Sequence, residues 1–199
     1  MEYRAVEINS RTLFNKFLRL TEQIYQGNNY YVQPLYSELR EKINPLKNPF
    51  LTYGKIKLFG VIDYNRNLVG RVVSIINPVN DNLYGKEYGF FGMFESINNK
   101  RVASLLVDQV KSSLKQMKYK KLIGPVNFTT NEESGILIDG FDHSPAFMCA
   151  YNPEYYQELL ENCNFKKAID LLAYRGYTDH VYPQKFNRIL NRILTNPNV

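Results

Sequence analysis

Residues 88–126 constrain the fold most, because they read as one strand–helix–strand unit with a charged junction. The aromatic strand Tyr88-Gly89-Phe90-Phe91-Gly92-Met93-Phe94-Glu95-Ser96 runs through the short polar loop Ile97-Asn98-Asn99 into an amphipathic helix. A second strand, Lys120 to Val126, follows that helix. A helix starting directly off a strand end aims several free backbone N–H groups at one spot, which suits an anion. Lys100 and Arg101 occupy its first turn, where positive side chains oppose the helix dipole. A phosphate at that corner would relieve the misfit.

The rest of the chain extends this unit into a sheet. Tyr3 to Ile8 reads as a first strand, and Asn9 or Ser10 can cap a helix whose apolar side carries Leu13, Phe14, Phe17, Leu18 and Ile24. A short helix from about Leu35 to Ile43 precedes the turn-rich stretch containing Asn44-Pro45 and Asn48-Pro49. Ile56 to Tyr64 and Leu68 to Ile76 form a hairpin across Asn65-Arg66-Asn67, and Asn77 to Gly85 reads as a loop. The helix after Asn99 places Val102, Leu106, Val110, Leu114 and Met117 on one stripe, the spacing of core packing against a sheet. Asn127 to Tyr151 is a long loop, and loops of that length inside a domain are usually functional. A helix beginning at Asn152-Pro153, a strand from Phe165 to Tyr174 and an amphipathic helix from Pro183 to Leu194 complete the order. The expected fold class is α/β (α+β), a mixed and mostly antiparallel sheet with helices on both faces, plus a C-terminal helix.

Composition excludes several classes. At 199 residues, with 44% hydrophobic content, the chain has enough apolar material for a core. Two cysteines, Cys149 and Cys163, and two distant histidines cannot assemble a four-ligand zinc site, so no metal is expected. The N-terminus lacks an apolar signal core and no run of 18 apolar residues occurs, so the expectation is a cytoplasmic protein with no membrane partner. The net charge of +6 is scattered, with Lys111, Lys115 and Lys118 on the outer face of the long helix. Sixteen tyrosines spread over strands, loops and helix starts carry no RNA-binding strand motif, so nucleic acid is not the expected partner. Neither a nucleophile elbow nor a P-loop is present.

Several short runs share an order and spacing: Asn48-Pro49-Phe50, Gly70-Arg71, Gly89-Phe90-Phe91-Gly92 with Phe94-Glu95, and Gly124-Pro125-Val126-Asn127. They continue through Asn131, Gly135, Asp139-Gly140-Phe141, Tyr151-Asn152-Pro153 with Tyr155-Tyr156, and Asp170 to Tyr174. In these runs and in element order the chain resembles the Gcn5-related N-acetyltransferase (GNAT) superfamily, specifically a bacterial GNAT-like branch with a second half following the first. The resemblance implies a GNAT-like acyl-CoA N-acyltransferase domain over residues 1–176 and a C-terminal helical tail over 177–199. It implies acetyl-CoA or another acyl-CoA as substrate, lying between the fourth and fifth strands with its pyrophosphate on the following helix. Phe94, Ser96, Asn99, Lys100, Arg101, Val102, Ala103, Ser104 and Asn127 are the implied cofactor contacts. The loop departs from the family signature in having no glycine, with Arg101 about where the first glycine belongs and Ala103 standing for the last position.

The same resemblance assigns catalysis to Glu95 as general base and to Tyr155 or Tyr156 as the acid, since alignment on the helix end puts Leu160 at the usual tyrosine position. Strand alternation places Glu95 on the face of Phe91 and Met93. Asn127 can also cap a turn, and Asn131, Glu132, Glu133, Asp139, Asp142 and His143 can line an acceptor pocket or simply solvate the loop. His180 offers no partner by sequence. The leading expectation is acyl transfer to a small-molecule amine or peptide of unknown identity. A catalytically silent GNAT-like half, dimerising through an open sheet edge, is the second, and a basic module handling RNA or aminoacyl-tRNA is the third.

Overall fold

Alternating apolar residues and a polar stop build β4 (Tyr88–Ser96), the centre of the site, in a computed structural model that describes residues 2–129, 131–174, 176–177 and 183–195. The chain divides into two units, residues 1–166 and 167–199. In the first unit β1 (Arg4–Glu7), β2 (Lys55–Ile62), β3 (Leu68–Ile76), β4 and β5 (Lys121–Ile123) form one sheet in chain order. The first three pairings are antiparallel and β4–β5 is parallel. The mixed, mostly antiparallel sheet expected from the sequence is therefore present.

Helices cover both faces. α4 (Lys100–Gln116) lays Val102, Leu106, Val110 and Leu114 into a core with Phe59, Val61, Val72, Phe91 and Phe94. α5 (Tyr156–Asn162) adds Tyr156, Leu159 and Leu160 to it, so the leucine at the expected acid position is a core side chain. On the opposite face α1 (Arg11–Ile24), capped by Ser10, and α2 (Tyr36–Lys42) contribute Phe17, Leu18, Leu20 and Leu39, which join Val73, Ile75 and Met93. Gly70 permits the close fit of α4, because a Cβ there would sit 2.8 Å from Val102 Cγ1 and 2.9 Å from Leu106 Cδ1.

Three local expectations are corrected. Residues 78–84 form a helix, α3 (Pro78–Tyr84), where a loop was expected: the Asn77 side chain caps Val79 and Asn80, and Pro78 occupies a first-turn position. β5 is three residues long and leaves β4 at Gly124-Pro125. No strand forms over residues 165–174 among the described residues. A strand needs a ladder to join, and so short an edge, ended by a residue without an N–H, offers little of one. Phe165 instead packs on Phe91, with ring centroids 5.2 Å apart, and Ile169, Leu171, Leu172 and Tyr174 are exposed. The second unit contains α6 (Gln184–Leu194). His180 lies outside the described residues.

β4 carries a β-bulge: Gly70 pairs with Ser96, Arg71 with Glu95 and Val73 with Gly92, so Val72 alone opposes Met93 and Phe94. Met93 sits in the left-handed region at φ 47°. Beside the bulge Gly92 lets the segment after β5 approach, since a Cβ there would lie 2.5 Å from the Val126 carbonyl oxygen and 2.7 Å from Asn127 Oδ1. Gly92→Ala is expected to destabilise the protein by about 1–3 kcal/mol, as overpacking against backbone does. Chemical denaturation checks this, and an unchanged midpoint would contradict the close approach.

Candidate active site

A charge in the middle of an apolar strand is costly unless it is paired. Arg71, in the run Leu68-Val69-Gly70-Arg71-Val72-Val73, is 3% exposed and faces Glu95 across the β3–β4 ladder. Its guanidinium donates from Nη1 to the Phe17 carbonyl at 2.5 Å, stacks over the Phe17 ring at 5.1 Å, and sets Nη2 3.6 Å from Glu95 Oε1. Buried Arg71 Nε has no hydrogen-bond partner among the described residues.

Glu95 is the hub. Its Oε2 accepts a hydrogen bond from the Tyr156 hydroxyl at 2.6 Å and another from the Tyr25 hydroxyl at 3.1 Å. The Tyr156 hydroxyl in turn accepts from the Ser96 N–H at 2.9 Å, so Ser96, Tyr156 and Glu95 form one directed chain. The Tyr155 hydroxyl donates to the Ser96 carbonyl at 2.9 Å. Tyr25 also lies 3.2 Å from the Tyr151 carbonyl, which ties the end of α1 to the long loop. Tyr31 stacks flat on Tyr25 at 3.6 Å, and Tyr151 tilts against both rings.

These contacts set the electrostatics. Burial raises the Glu95 carboxyl above its ordinary value, with Arg71 and the two tyrosine hydroxyls pulling the other way. Burial and the nearby Glu95 charge push Tyr25, Tyr31 and Tyr156 upward, and Tyr155 is pushed up to about 12. All four stay protonated near neutrality, so each is a standing hydrogen-bond donor.

The three residues expected in catalysis thus come together, but not as the sequence suggests. The bulge resets the alternation: Phe91 and Phe94 enter one core while Phe90 and Met93 enter the other. Glu95 therefore shares the Met93 side with Arg71 and is not on the Phe91 side. Tyr25, Tyr31, Tyr151 and Arg71 were missed as site members. Only Arg71 carries a signal, a cation inside an apolar strand, while the tyrosines are brought in by topology.

Most of the expected cofactor contacts are engaged within the protein. The Asn99 side chain caps α4, accepting from Arg101 N at 3.0 Å and Val102 N at 3.2 Å. Lys100 Nζ pairs with Glu158 at 2.7 Å, and Arg101 is exposed. Val102 and Ala103 are core residues, Phe94 packs edge-on against Tyr156, and the Ser104 hydroxyl lies 3.4 Å from Asp108. Asn127 caps no turn with its side chain; Oδ1 accepts from Met93 N at 2.8 Å and Nδ2 donates to Glu133 at 3.1 Å. The β4–β5 ladder ends after Phe90 and Ile123, but the chain stays against β4, with Val126 N donating to the Phe91 carbonyl at 2.8 Å, and Asn127, Tyr155 and Tyr156 occupy the β4 groups beyond that point. A cleft of about 390 Å³ beside α5 is lined by Glu154, Tyr155, Gln157, Glu158 and Glu161, a poor neighbour for phosphate. In this arrangement the Arg101 and Val102 amides at the start of α4 are taken by the Asn99 side chain.

The loop carboxylates are mostly accounted for. Glu132 and Glu133 each lie 3.1 Å from Lys42 of α2, and buried Asn152 holds the loop at Leu137 through its side-chain oxygen. Asp142 and His143 pair with each other on the surface. No cluster of three or more metal-ligating side chains occurs among the described residues, and no helix there is long and apolar enough to cross a membrane.

The chain is similar in sequence to bacterial proteins. No family model matches the chain. It is 29% identical over 189 residues to Protein YghO of Escherichia coli K12, covering 92% of this chain and 48% of the relative. It is 26% identical over 189 residues to the bacterial ceramide synthase of Caulobacter vibrioides, covering 94% of this chain and 49% of that protein. The chain spans about half the length of the curated relatives it matches. A GNAT-family acetyltransferase from Staphylococcus aureus Mu50 superposes with a TM-score of 0.45 at 14% identity, over 64% of this chain and 75% of that one.

Tyr156→Phe removes a donor from Glu95 and strands the Ser96 N–H, an expected loss of about 1.5–3 kcal/mol. Because the folded pKa of Glu95 is raised, the folded state keeps a proton that the unfolded chain releases near the ordinary 4.5. Stability from that proton is full below 4.5 and is lost as pH rises through the raised value. The lost hydroxyl supported the charged carboxylate, so the deficit of Tyr156→Phe should grow with pH across that window. Urea unfolding at pH 4 to 8 reads it, and a deficit that shrinks as pH rises would contradict the assignment.

Proposed function

We propose that this chain is the base-bearing half of a GNAT-type N-acyltransferase, in which Glu95 takes the proton from an amine attacking an acyl thioester such as acetyl-CoA. The observation that carries the reading is the Glu95 carboxylate at the bulged end of β4, buried beside Arg71 and held by two tyrosine hydroxyls. A general base works best with its pKa near working pH, and burial raises that of Glu95 from the ordinary carboxylate range toward it. Tyr25 and Tyr156 fix which carboxylate oxygen is engaged, leaving Oε1, on the Arg71 side, as the atom to receive the proton. The reading draws further support from the resemblance in element order and from the Caulobacter relative, whose named product class, a ceramide, is an amide of an amine. No residue is assigned to the acyl carrier, since the Arg101 and Val102 amides at the start of α4 already bond the Asn99 side chain.

The expected result for Glu95→Gln is a fall in amine-dependent thiol release from acetyl-CoA of about 10²–10⁴-fold, the usual worth of a positioned base. The wild-type rate should climb as Glu95 deprotonates, with a midpoint above the ordinary carboxylate range, and Glu95→Gln should lose that limb. A variant keeping the wild-type rate and pH profile would refute the assignment.

The closed corner favours a second reading, a catalytically silent half: Met93 N, Ser96 N and Ser96 O already have internal partners. Ligand at 100 times its dissociation constant stabilises a binder by about 2.7 kcal/mol. A thermal shift with acetyl-CoA supports the enzyme, and none up to millimolar ligand supports the silent half.

A further inference from the structure

In the second unit, α6 spaces Ile189, Leu190, Ile193 and Leu194 along one stripe, each 49 to 73% exposed. Lys185, Arg188 and Arg192 occupy the remaining surface, and no acidic residue occurs between Pro183 and Thr195. The same unit exposes Leu171, Leu172 and Tyr174. The helix therefore combines an exposed apolar stripe with three cations that pair with no carboxylate among the described residues.

We propose that α6 is an interfacial anchor, lying on an anionic lipid surface with its stripe in the acyl boundary and its cations among the headgroups. Nucleic acid would use the cations and leave the stripe wet. A second copy would cover the stripe but bring like charges together with no carboxylate on either helix. A layer of anionic headgroups over hydrocarbon satisfies both surfaces. The expectation of no membrane partner rested on the lack of a spanning segment, which does not bear on a helix lying flat. An amine acceptor dissolved in that layer would then reach the protein by lateral diffusion.

The test is co-sedimentation of the full 199-residue chain with vesicles of phosphatidylcholine containing 30% phosphatidylglycerol, and with pure phosphatidylcholine. Binding is expected to the anionic vesicles at low salt and to weaken as salt rises. Arg188→Gln/Arg192→Gln should weaken binding about 25-fold, from roughly fivefold per cation. Ile193→Ser, which changes no charge, should also release the chain. Because α6 buries none of its residues, both variants should keep the wild-type melting of the 1–166 unit, which separates loss of anchoring from loss of fold. The proposal fails if the chain does not sediment with anionic vesicles. It fails equally if Ile193→Ser leaves binding intact, or if Lys115→Gln on α4 costs as much as removal of an α6 arginine. A dimer that Ile193→Ser dissolves would assign the stripe to a second copy instead.

Discussion

A single carboxylate in a low-dielectric place organises this protein. Among the described residues the charged neighbour of Glu95 is Arg71, and a buried cation opposite a buried anion is tolerated only when both are hydrogen-bonded. Arg71 meets that condition by donating to α1 and stacking on Phe17, Glu95 by accepting from α5 and the end of α1. Four elements distant in sequence, α1, β3, β4 and α5, are tied to one polar point inside otherwise apolar packing. Removing either charge would leave the other buried without compensation.

The bulge in β4 makes that point possible. Without the extra residue at Met93 and Phe94, Glu95 would follow Phe91 into the α4 core, where no cation waits. With it, the carboxylate turns toward Arg71 while Phe94 still fills the core against Tyr156. Beyond the end of the β4–β5 ladder Met93 N and Ser96 N have no strand partner, and Asn127 and Tyr156 supply one to each. Chemistry and packing at this end of the strand have one geometric origin.

Much of this was legible and some was not. β4 and the start of α4 after Asn99 could be read to the residue, because aromatic alternation and an apolar stripe opening after a polar loop are local signals; the Asn99 cap itself was not read. The Asn77-Pro78 start of α3 carried equally local signals, but the helix buries nothing, so no stripe advertised it. Residues 165–174 have a strand's alternation and no strand's partner, and pairing is not a local property. Glu95, Tyr155 and Tyr156 were named from a resemblance. Their meeting with Tyr25 and Arg71 depends on how β3 lies against β4 and where α1 ends. At the expected phosphate corner Asn99 is itself an acceptor for the amides it precedes, a role its place before the apolar stripe allows.

The central claim is that Glu95 is a desolvated carboxylate poised to take up a proton. Site-resolved carbon NMR of the glutamate carboxyls, titrated with pH and assigned through Glu95→Gln, measures this directly. A Glu95 midpoint above that of the exposed glutamates is the predicted result. A midpoint at or below theirs would show that Arg71 and the tyrosines outweigh burial, and the base would lose its physical footing.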